Sequence, residues 1–570
     1  MPTISFFQND LERFLGHPAT LTQLESWLSL VKGEVKDFAT ATGEVRVELQ
    51  DSNRPDLWSV EGIARQIRMK VQGTPCTYPF FQTRTRPRRR VLVGAGMDTV
   101  RPYVAACAVT GHPITEQDLV QLIQAQEKLA DGFGHKRKTV SVGLYRLPRI
   151  QFPVTYGLVK PTEARFTPLG FSEPLTLQDI LTVHPKGMEY GAILADQPML
   201  PLLWDKEGQV LSFPPIINSR DIGQVQVGDA EFFVEVTGTD ARMVLLTLNI
   251  FAVNFADRGA AIDPVDIQYP YATPWGKSVK TPCDINTIQT IPLKAIEAAL
   301  GVALDAERVQ QDLRSYGYEV KATRSTLAVR LPCYRNDLMH PVDVAEDVAI
   351  SRGYDSFVPV MPAHFTVGSL SMLERMSDHL RDHMIGQGFQ EIFSNILMSR
   401  EELVTRMRLA SSDQDQVVEV DNVMSHNFAC LRSWIIPSLL RVEMTSPRAF
   451  YPHRLFEIGE VALPDLSQAL GSRTMLRLGS LIAHAHANFS EVHTCLDVLM
   501  FYLMQDYELQ PMSHGSFMEG RAGTILCGGH AIGLIGELHP EVLENWHITM
   551  PISVFELTVD LLCREKPSAE

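Results

Sequence analysis

The sequence has no long apolar run, no paired cysteines and no excess of positive charge, and each absence closes a class of function. No stretch approaches the ~18 consecutive apolar residues of a membrane span, and Asp10 and Glu12 interrupt the N-terminal region before a signal-like core could form. A cytoplasmic protein with no membrane partner is expected. The eight cysteines, at 76, 107, 283, 333, 430, 495, 527 and 563, are scattered without a CxxC pair, which argues against both zinc sites and a disulfide framework. With 51 Lys and Arg against 67 Asp and Glu the net charge is −16, so the chain as a whole repels a polyanion. Any RNA contact must be confined to local basic surface.

Two such places exist. Arg84, Arg86, Arg88, Arg89 and Arg90 surround Pro87, and His135-Lys136-Arg137-Lys138 follows the glycine turn Gly132 to Gly134. A solvated linker and a helix C-terminal cation cluster account for them as well as RNA contact does. At 570 residues and 45% apolar content, the chain is too long for a single core and should divide into several domains.

The densest chemistry lies in LPCYRNDLMHPVDVAEDVAISRGY, residues 331–354. Pro341 suits the first turn of a helix, and Asp343, Glu346 and Asp347 follow at i, i+3 and i+4, so three carboxylates should share one helix face. Asp337 can reach back from the preceding turn. Oxygen donors without interleaved cysteine or histidine suit a hard cation such as magnesium. An acidic helix N-terminus favoured by the macrodipole is the simpler alternative.

Elsewhere the pattern is mixed α and β. Leu21, Leu24 and Leu28 mark a short amphipathic helix, and Val45, Val47 and Leu49 alternate as a half-buried strand does. Asn53-Arg54-Pro55-Asp56 forms a turn into a helix over 61–67. Leu119, Leu122 and Ile123 predict another amphipathic helix. In Ser212-Phe213-Pro214-Pro215-Ile216-Ile217-Asn218 the adjacent prolines exclude mid-sheet placement and predict an ordered loop that holds Asn218 stiffly. Residues 233–239 alternate with period two, which puts Glu235, Thr237 and Thr239 on one strand face. Helices over 291–300 and 306–317 and a ribbon over 319–329 complete a further unit.

Arg335-Asn336-Asp337, Asp343 to Asp347 and Gly353-Tyr354-Asp355 together resemble a stretch of the β subunit of phenylalanyl-tRNA synthetases, archaeal and eukaryotic type. The likeness extends over nearly the whole chain. It implies an α+β multidomain fold: an N-terminal domain over 1–85, an editing (B3/B4-like) domain over 90–270, a B5-like domain over 275–357, and over 360–570 a non-catalytic class II synthetase-like antiparallel sheet with helices. It further implies magnesium at Asp337, Asp343, Glu346 and Asp347. Around Ser212, Pro215, Asn218, Glu235 and Thr237 it implies a second site that hydrolyses misattached tyrosine. Phenylalanine and tyrosine differ by one hydroxyl, which an apolar pocket rejects by only about a hundredfold, so such a site has a physical reason to exist.

Two departures matter. Where the family commonly has Gly-Leu-His-Asp, this chain has Gly143-Leu144-Tyr145-Arg146. Loss of the His-Asp pair would weaken or reshape editing, while Arg146 could supply a phosphate contact through its planar fork. The C-terminal unit also lacks the arginines that steady ATP phosphates in adenylate formation: Arg454 precedes Glu457 by three, and 533–540 contains none. Aminoacylation by this chain alone is therefore not expected. ATP would bind mainly on a separate α subunit, in an α2β2 assembly that charges tRNA(Phe). The alternatives are a free-standing tRNA deacylase, or an RNA- or protein-binding paralogue without activity.

Overall fold

The computed structural model describes residues 2–50, 53–73, 75–82, 87–409, 417–446 and 448–563, so Arg84 and Arg86 of the first basic cluster lie outside the described residues. The chain forms two compact units, Met1–Val360 and Met361–Glu570. Among the described residues no helix is long and apolar enough to cross a membrane.

The first unit opens with a three-stranded antiparallel sheet, Thr3–Phe7, Glu44–Leu49 and Gly33–Ala39, the middle-named strand at its centre. Val45, Val47 and Leu49 all face its core, as their alternation requires. Leu24 and Leu28 are buried on the helix Leu21–Leu28, whereas Leu21 stays exposed at its first position. Arg54 closes the following turn by a bidentate bond to Asp56, at 2.8 and 2.9 Å, and the helix Val60–Val71 follows. This region shares one hydrophobic core with the sheet that comes next. Arg258 reinforces the join by gripping Asp10, Glu61 and Asp118, all buried.

That next sheet has ten strands. In spatial order they are Ile217–Asn218, Val210–Phe213, Leu200–Trp204, Val154–Val159, Arg89–Val93, Ala261–Thr273, Tyr103–Thr110, Glu231–Gly238 and Val140–Arg146, with Gly276–Thr281 paired alongside Ala261–Thr273. Arg89, from the first basic cluster, sits in a strand and pairs with Asp263 at 3.1 Å. The apolar helix Ala241–Asp257 covers one face through Phe232, Val234 and Val236, while Phe233 joins a core on the other. Both faces being covered, every residue from Phe232 to Gly238 is buried. Thr239 does not join Glu235 and Thr237: the strand ends at Gly238, and Thr239 is exposed in the turn before the Asp240 cap.

The last part of this unit sets helices Leu293–Leu300, Ala306–Arg314 and Pro341–Arg352 beside a three-stranded antiparallel sheet, Gln289–Pro292, Thr326–Arg330 and Glu319–Ala322. The helix expected from Ile291 starts two residues later. Pro292 forces its predecessor toward extended backbone, so Ile291 pairs with Leu327 instead.

The second unit is a seven-stranded sheet in the order Gln390–Glu391, His453–Pro464, Ser472–Ala483, Ile552–Thr558, His530–Leu538, Phe517–Cys527, Glu508–Pro511. It is antiparallel except where Gln390–Glu391 runs parallel to its neighbour. Met372–Gly386 and Phe489–Tyr502 cover one face with Phe456, Ile482 and Phe555; Ile436–Thr445 covers the other with Leu481 and Val554.

Candidate functional site

The ten-stranded sheet carries a cavity of about 280 Å³. It sits among the helix Glu116–Lys128, the strand Val140–Arg146 and the hairpin made by Val210–Phe213 and Ile217–Asn218. Pro214 and Pro215 form the hairpin's turn, closed by a 2.7 Å bond from the Ile216 N–H to the Phe213 carbonyl. The prolines thus escape the ladder and aim its two strands. Ser212, Pro215, Asn218 and Glu235 line the cavity with apolar Leu122, Ile123, Val142 and Leu144. Thr237 does not. It is buried behind the lining, bonded to Ser141 and to the guanidinium of Arg101.

Glu235 is the chemical centre. It stands directly across the sheet from Gly143, and a Cβ on Gly143 would fall 2.1 Å from the Tyr145 hydroxyl and 2.6 Å from Glu235 Oε2. Glycine is what lets these two groups meet. The Tyr145 hydroxyl lies 2.8 Å from Glu235 Oε2 and 2.8 Å from Ser212 Oγ. One phenolic proton serves one acceptor, so with Glu235 ionised Tyr145 donates to Glu235 and Ser212 donates to Tyr145. The other carboxylate oxygen, Oε1, is buried and makes no bond of ordinary hydrogen-bond geometry, although the Thr237 hydroxyl is near enough to favour the charged form. Burial pushes the Glu235 carboxyl up to about 7, against the opposing pull of Tyr145 and Arg101.

Asn218 donates to the Leu144 carbonyl at a long 3.4 Å. Arg146 is not at the cavity: it pairs with Asp229 at 3.1 Å, so the phosphate contact expected of it has no basis in this geometry. Lys186 does line the cavity, and so does Arg137. It donates to the carbonyls of Pro215 and Ile216 at 3.2 and 2.9 Å, and it stacks 4.2 Å above the ring of Tyr190. His135, Lys136 and Arg137 hold φ of 50°, 52° and 64°, a left-handed run that costs roughly 1–2 kcal/mol per residue without glycine. The sequence marks Arg137 only as part of a basic cluster and Gly143 only within a departure from the family's motif; that both meet the cavity follows from the fold, which sets Gly143 opposite Glu235.

The four carboxylates of 331–354 are not gathered around one point. Asp337 and Asp347 both grip Arg335, whose Nη2 lies 2.6 and 2.7 Å from them, and Tyr318 donates to Asp347 at 2.7 Å. Asp343 caps its helix by accepting from the Met339 and His340 N–H groups at 2.6 Å each. Glu346 is exposed and pairs with Lys32. Asp347 points inward and Glu346 outward, so the expected shared face does not form. Burial opposes charge on Asp337, but the Arg335 guanidinium holds its carboxyl down at about 2. Among the described residues no group of three or more His, Cys, Asp or Glu is placed to hold a metal ion. As arranged, these four residues do not fit a shared magnesium.

In the second unit four arginines on or beside the sheet are each held by an acid: Arg432 by Glu457 (2.8 Å), Arg454 by Glu491 (2.7 Å), Arg477 by Glu556 (2.6 Å) and Arg521 by Glu537 (2.7 Å).

The chain is 36% identical to the phenylalanine–tRNA ligase beta subunit of Borrelia hermsii, over 98% of this chain and 99% of that one. The chain belongs to the phenylalanine–tRNA ligase beta subunit family. Other beta subunits agree: that of Treponema pallidum is 39% identical over 93% of this chain and 88% of its own, and that of Pyrococcus abyssi 36% over 98% and 99%. Residues 289–354 match the tRNA synthetase B5 domain, and 358–559 the phenylalanyl tRNA synthetase beta chain CLM domain. An N-terminal fragment of the Pyrococcus horikoshii beta subunit superposes with a TM-score of 0.58 at 34% identity, covering 62% of this chain and all of that one. A mixed α/β multidomain beta subunit is thus the frame in which the cavity and the carboxylates sit.

Proposed function

We propose that this chain serves phenylalanine attachment to tRNA(Phe) as the non-catalytic partner of an α subunit, and that its cavity hydrolyses tyrosine misattached to that tRNA. ATP and phenylalanine would bind the α chain. The paired state of Arg432, Arg454, Arg477 and Arg521 supports this division, because none is left free to hold a nucleotide's phosphates. Phe365, Phe393 and Phe450, 89%, 96% and 97% exposed, support a protein partner for the second unit. An α2β2 assembly in the cytoplasm is the form we expect.

The observation that carries the editing reading is the buried Glu235 carboxyl in the cavity lining, whose Oε1 makes no bond of ordinary hydrogen-bond geometry. A buried acceptor without a donor penalises any occupant that lacks one. A phenol supplies it; a phenyl group does not. Sites of this kind reject the analogue lacking the hydroxyl by roughly 10⁴-fold. At about 280 Å³ the cavity suits one amino-acid side chain rather than a nucleotide. In the reaction, water oxygen bonds to the ester carbonyl carbon and the bond to the ribose oxygen breaks. That oxygen takes a proton, and free tyrosine leaves. Glu235 reads the phenol, Tyr145 and Ser212 fix Glu235, and Asn218 and Pro215 shape the wall. Thr237 bonds Arg101 behind the wall and Ser141 on it.

The test mixes the full chain with its α partner. Charging with phenylalanine should require both chains, and tyrosyl-tRNA(Phe) should be hydrolysed at least a hundredfold faster than phenylalanyl-tRNA(Phe). Adenylate formation by this chain alone would overturn the division of labour, and tyrosyl ester loss no faster than in buffer would remove the editing role.

A further inference from the structure

The second basic cluster, left open between surface cations and RNA contact, is brought by the fold to the cavity. Arg137 lines it directly, and His135, Lys136 and Lys138 are exposed on either side in the chain. Lys186, also a lining residue, approaches the ring of Tyr190 to 5.3 Å, the same ring on which Arg137 stacks. Lys186 is answered by Glu189 at 2.9 Å. For Lys136, Arg137 and Lys138 there is no ion pair among the described residues. In a chain of net charge −16, where most arginines are matched to acids, three unmatched cations in a row stand out.

The backbone is held there deliberately. The helix Glu116–Lys128 closes in a wide turn over Leu129–Phe133. Bonds from Lys136 N to the Asp131 carbonyl, Arg137 N to that of Ala130 and Thr139 N to that of Gly134 then pin the left-handed run. Gly134 admits no side chain, since a Cβ would lie 2.4 and 2.5 Å from the carbonyl oxygens of Ala130 and Val140. Strain kept in place by so many bonds is where function is to be sought.

We propose that His135 to Lys138 form a phosphate-binding collar that steers the single-stranded 3′ end of an RNA into the cavity. The proposal rests on the editing reading for what arrives there, but its own content is the polyanion. The collar contacts backbone phosphates and reads no base. Its strength must therefore fall with salt, by about 0.7 in the slope of log K against log salt for each phosphate neutralised on a single strand.

The experiment measures binding of a fluorescent tRNA(Phe) transcript to the full chain by anisotropy across a salt series. Lys136→Asn together with Lys138→Gln is the variant of choice, because asparagine tolerates the left-handed backbone at 136. The expected result is an affinity loss of about tenfold at low salt and a slope shallower by about 1.4, two contacts' worth. Lys277→Gln, exposed and remote in sequence, should change neither. An unchanged slope in the double variant, or an equal change in the Lys277 control, overturns the collar. Failure of the editing reading is separate: it appears as no tyrosyl ester hydrolysis by the parent chain, whatever the slopes show.

Discussion

Two regions of this chain to which the family resemblance assigns chemistry are opposite in structure. Around Asp337 to Asp347 every carboxylate has a partner: Arg335 for two, backbone N–H groups for one, Lys32 for the fourth. Around Glu235 a single buried carboxylate in a cavity lining has one oxygen without a bond of ordinary hydrogen-bond geometry. Satisfied charges build a domain. An unsatisfied one, kept despite the desolvation penalty, marks a place for a ligand.

The comparison breaks most sharply at Arg335. Arg335→Ala leaves Asp337 and Asp347 buried without their counter-charge, and removing one member of a buried pair costs about 3–5 kcal/mol. Denaturant unfolding should show that loss; a change below about 1 kcal/mol would mean other groups carry the charges. Glu235→Gln should do the reverse. At low pH the carboxyl is protonated in both folded and unfolded chains and contributes nothing. As pH rises through its ordinary 4.5 the unfolded chain ionises first, so the folded state loses stability until its own value of about 7 is passed. The full penalty above that is about 3 kcal/mol. The amide cannot ionise, so the variant should gain on the parent between pH 5 and 8 while tyrosyl-tRNA hydrolysis falls about 10–100-fold, the worth of a charge-assisted bond. Equal pH dependence of the two unfolding midpoints would contradict the buried charge.

What could be read from the sequence follows the range of the interactions. Strand alternation and the Pro-Pro turn are local and give the strand and the turn, whereas grouping Ser212, Pro215, Asn218 and Glu235, which line one cavity, rests on the family resemblance. The same local rule overran at Thr239, where the strand ends, and missed that Thr237 lies behind the lining. The i, i+3, i+4 spacing of Asp343, Glu346 and Asp347 gave the helix but not its rotation, because the inward turn of Asp347 is set by Arg335 and Tyr318. Lys32, which answers Glu346, is 314 residues away and no spacing rule reaches it. Arg137 reaches the cavity only through a left-handed turn that nothing in His-Lys-Arg-Lys announces.

Gly143→Ala sharpens the cavity side with a smaller effect. The new methyl must displace the Tyr145 hydroxyl or Glu235, and overpacking of this kind costs about 1–3 kcal/mol. Hydrolysis of the tyrosyl ester should drop while charging with the α chain is retained. If both fall together, the defect is in folding, and the close approach of Tyr145 to Glu235 has no special part in editing.

The smallest expected effect tests the satisfied side where it is weakest. Lys32 is largely covered, but Glu346 is exposed to solvent, so their pair should contribute at most about 1 kcal/mol. A double-mutant cycle with Lys32→Met and Glu346→Gln measures that coupling directly. Run with and without a magnesium chelator, the cycle also decides what the carboxylates hold. If Arg335 and Lys32 are their cations, chelation leaves the parent's unfolding midpoint where it was, and the coupling stays small in both conditions. A midpoint that falls on chelation, and falls less in the Glu346→Gln background, would mean that the four acids rearrange to share a metal ion, and the contrast between the two regions would have to be drawn elsewhere.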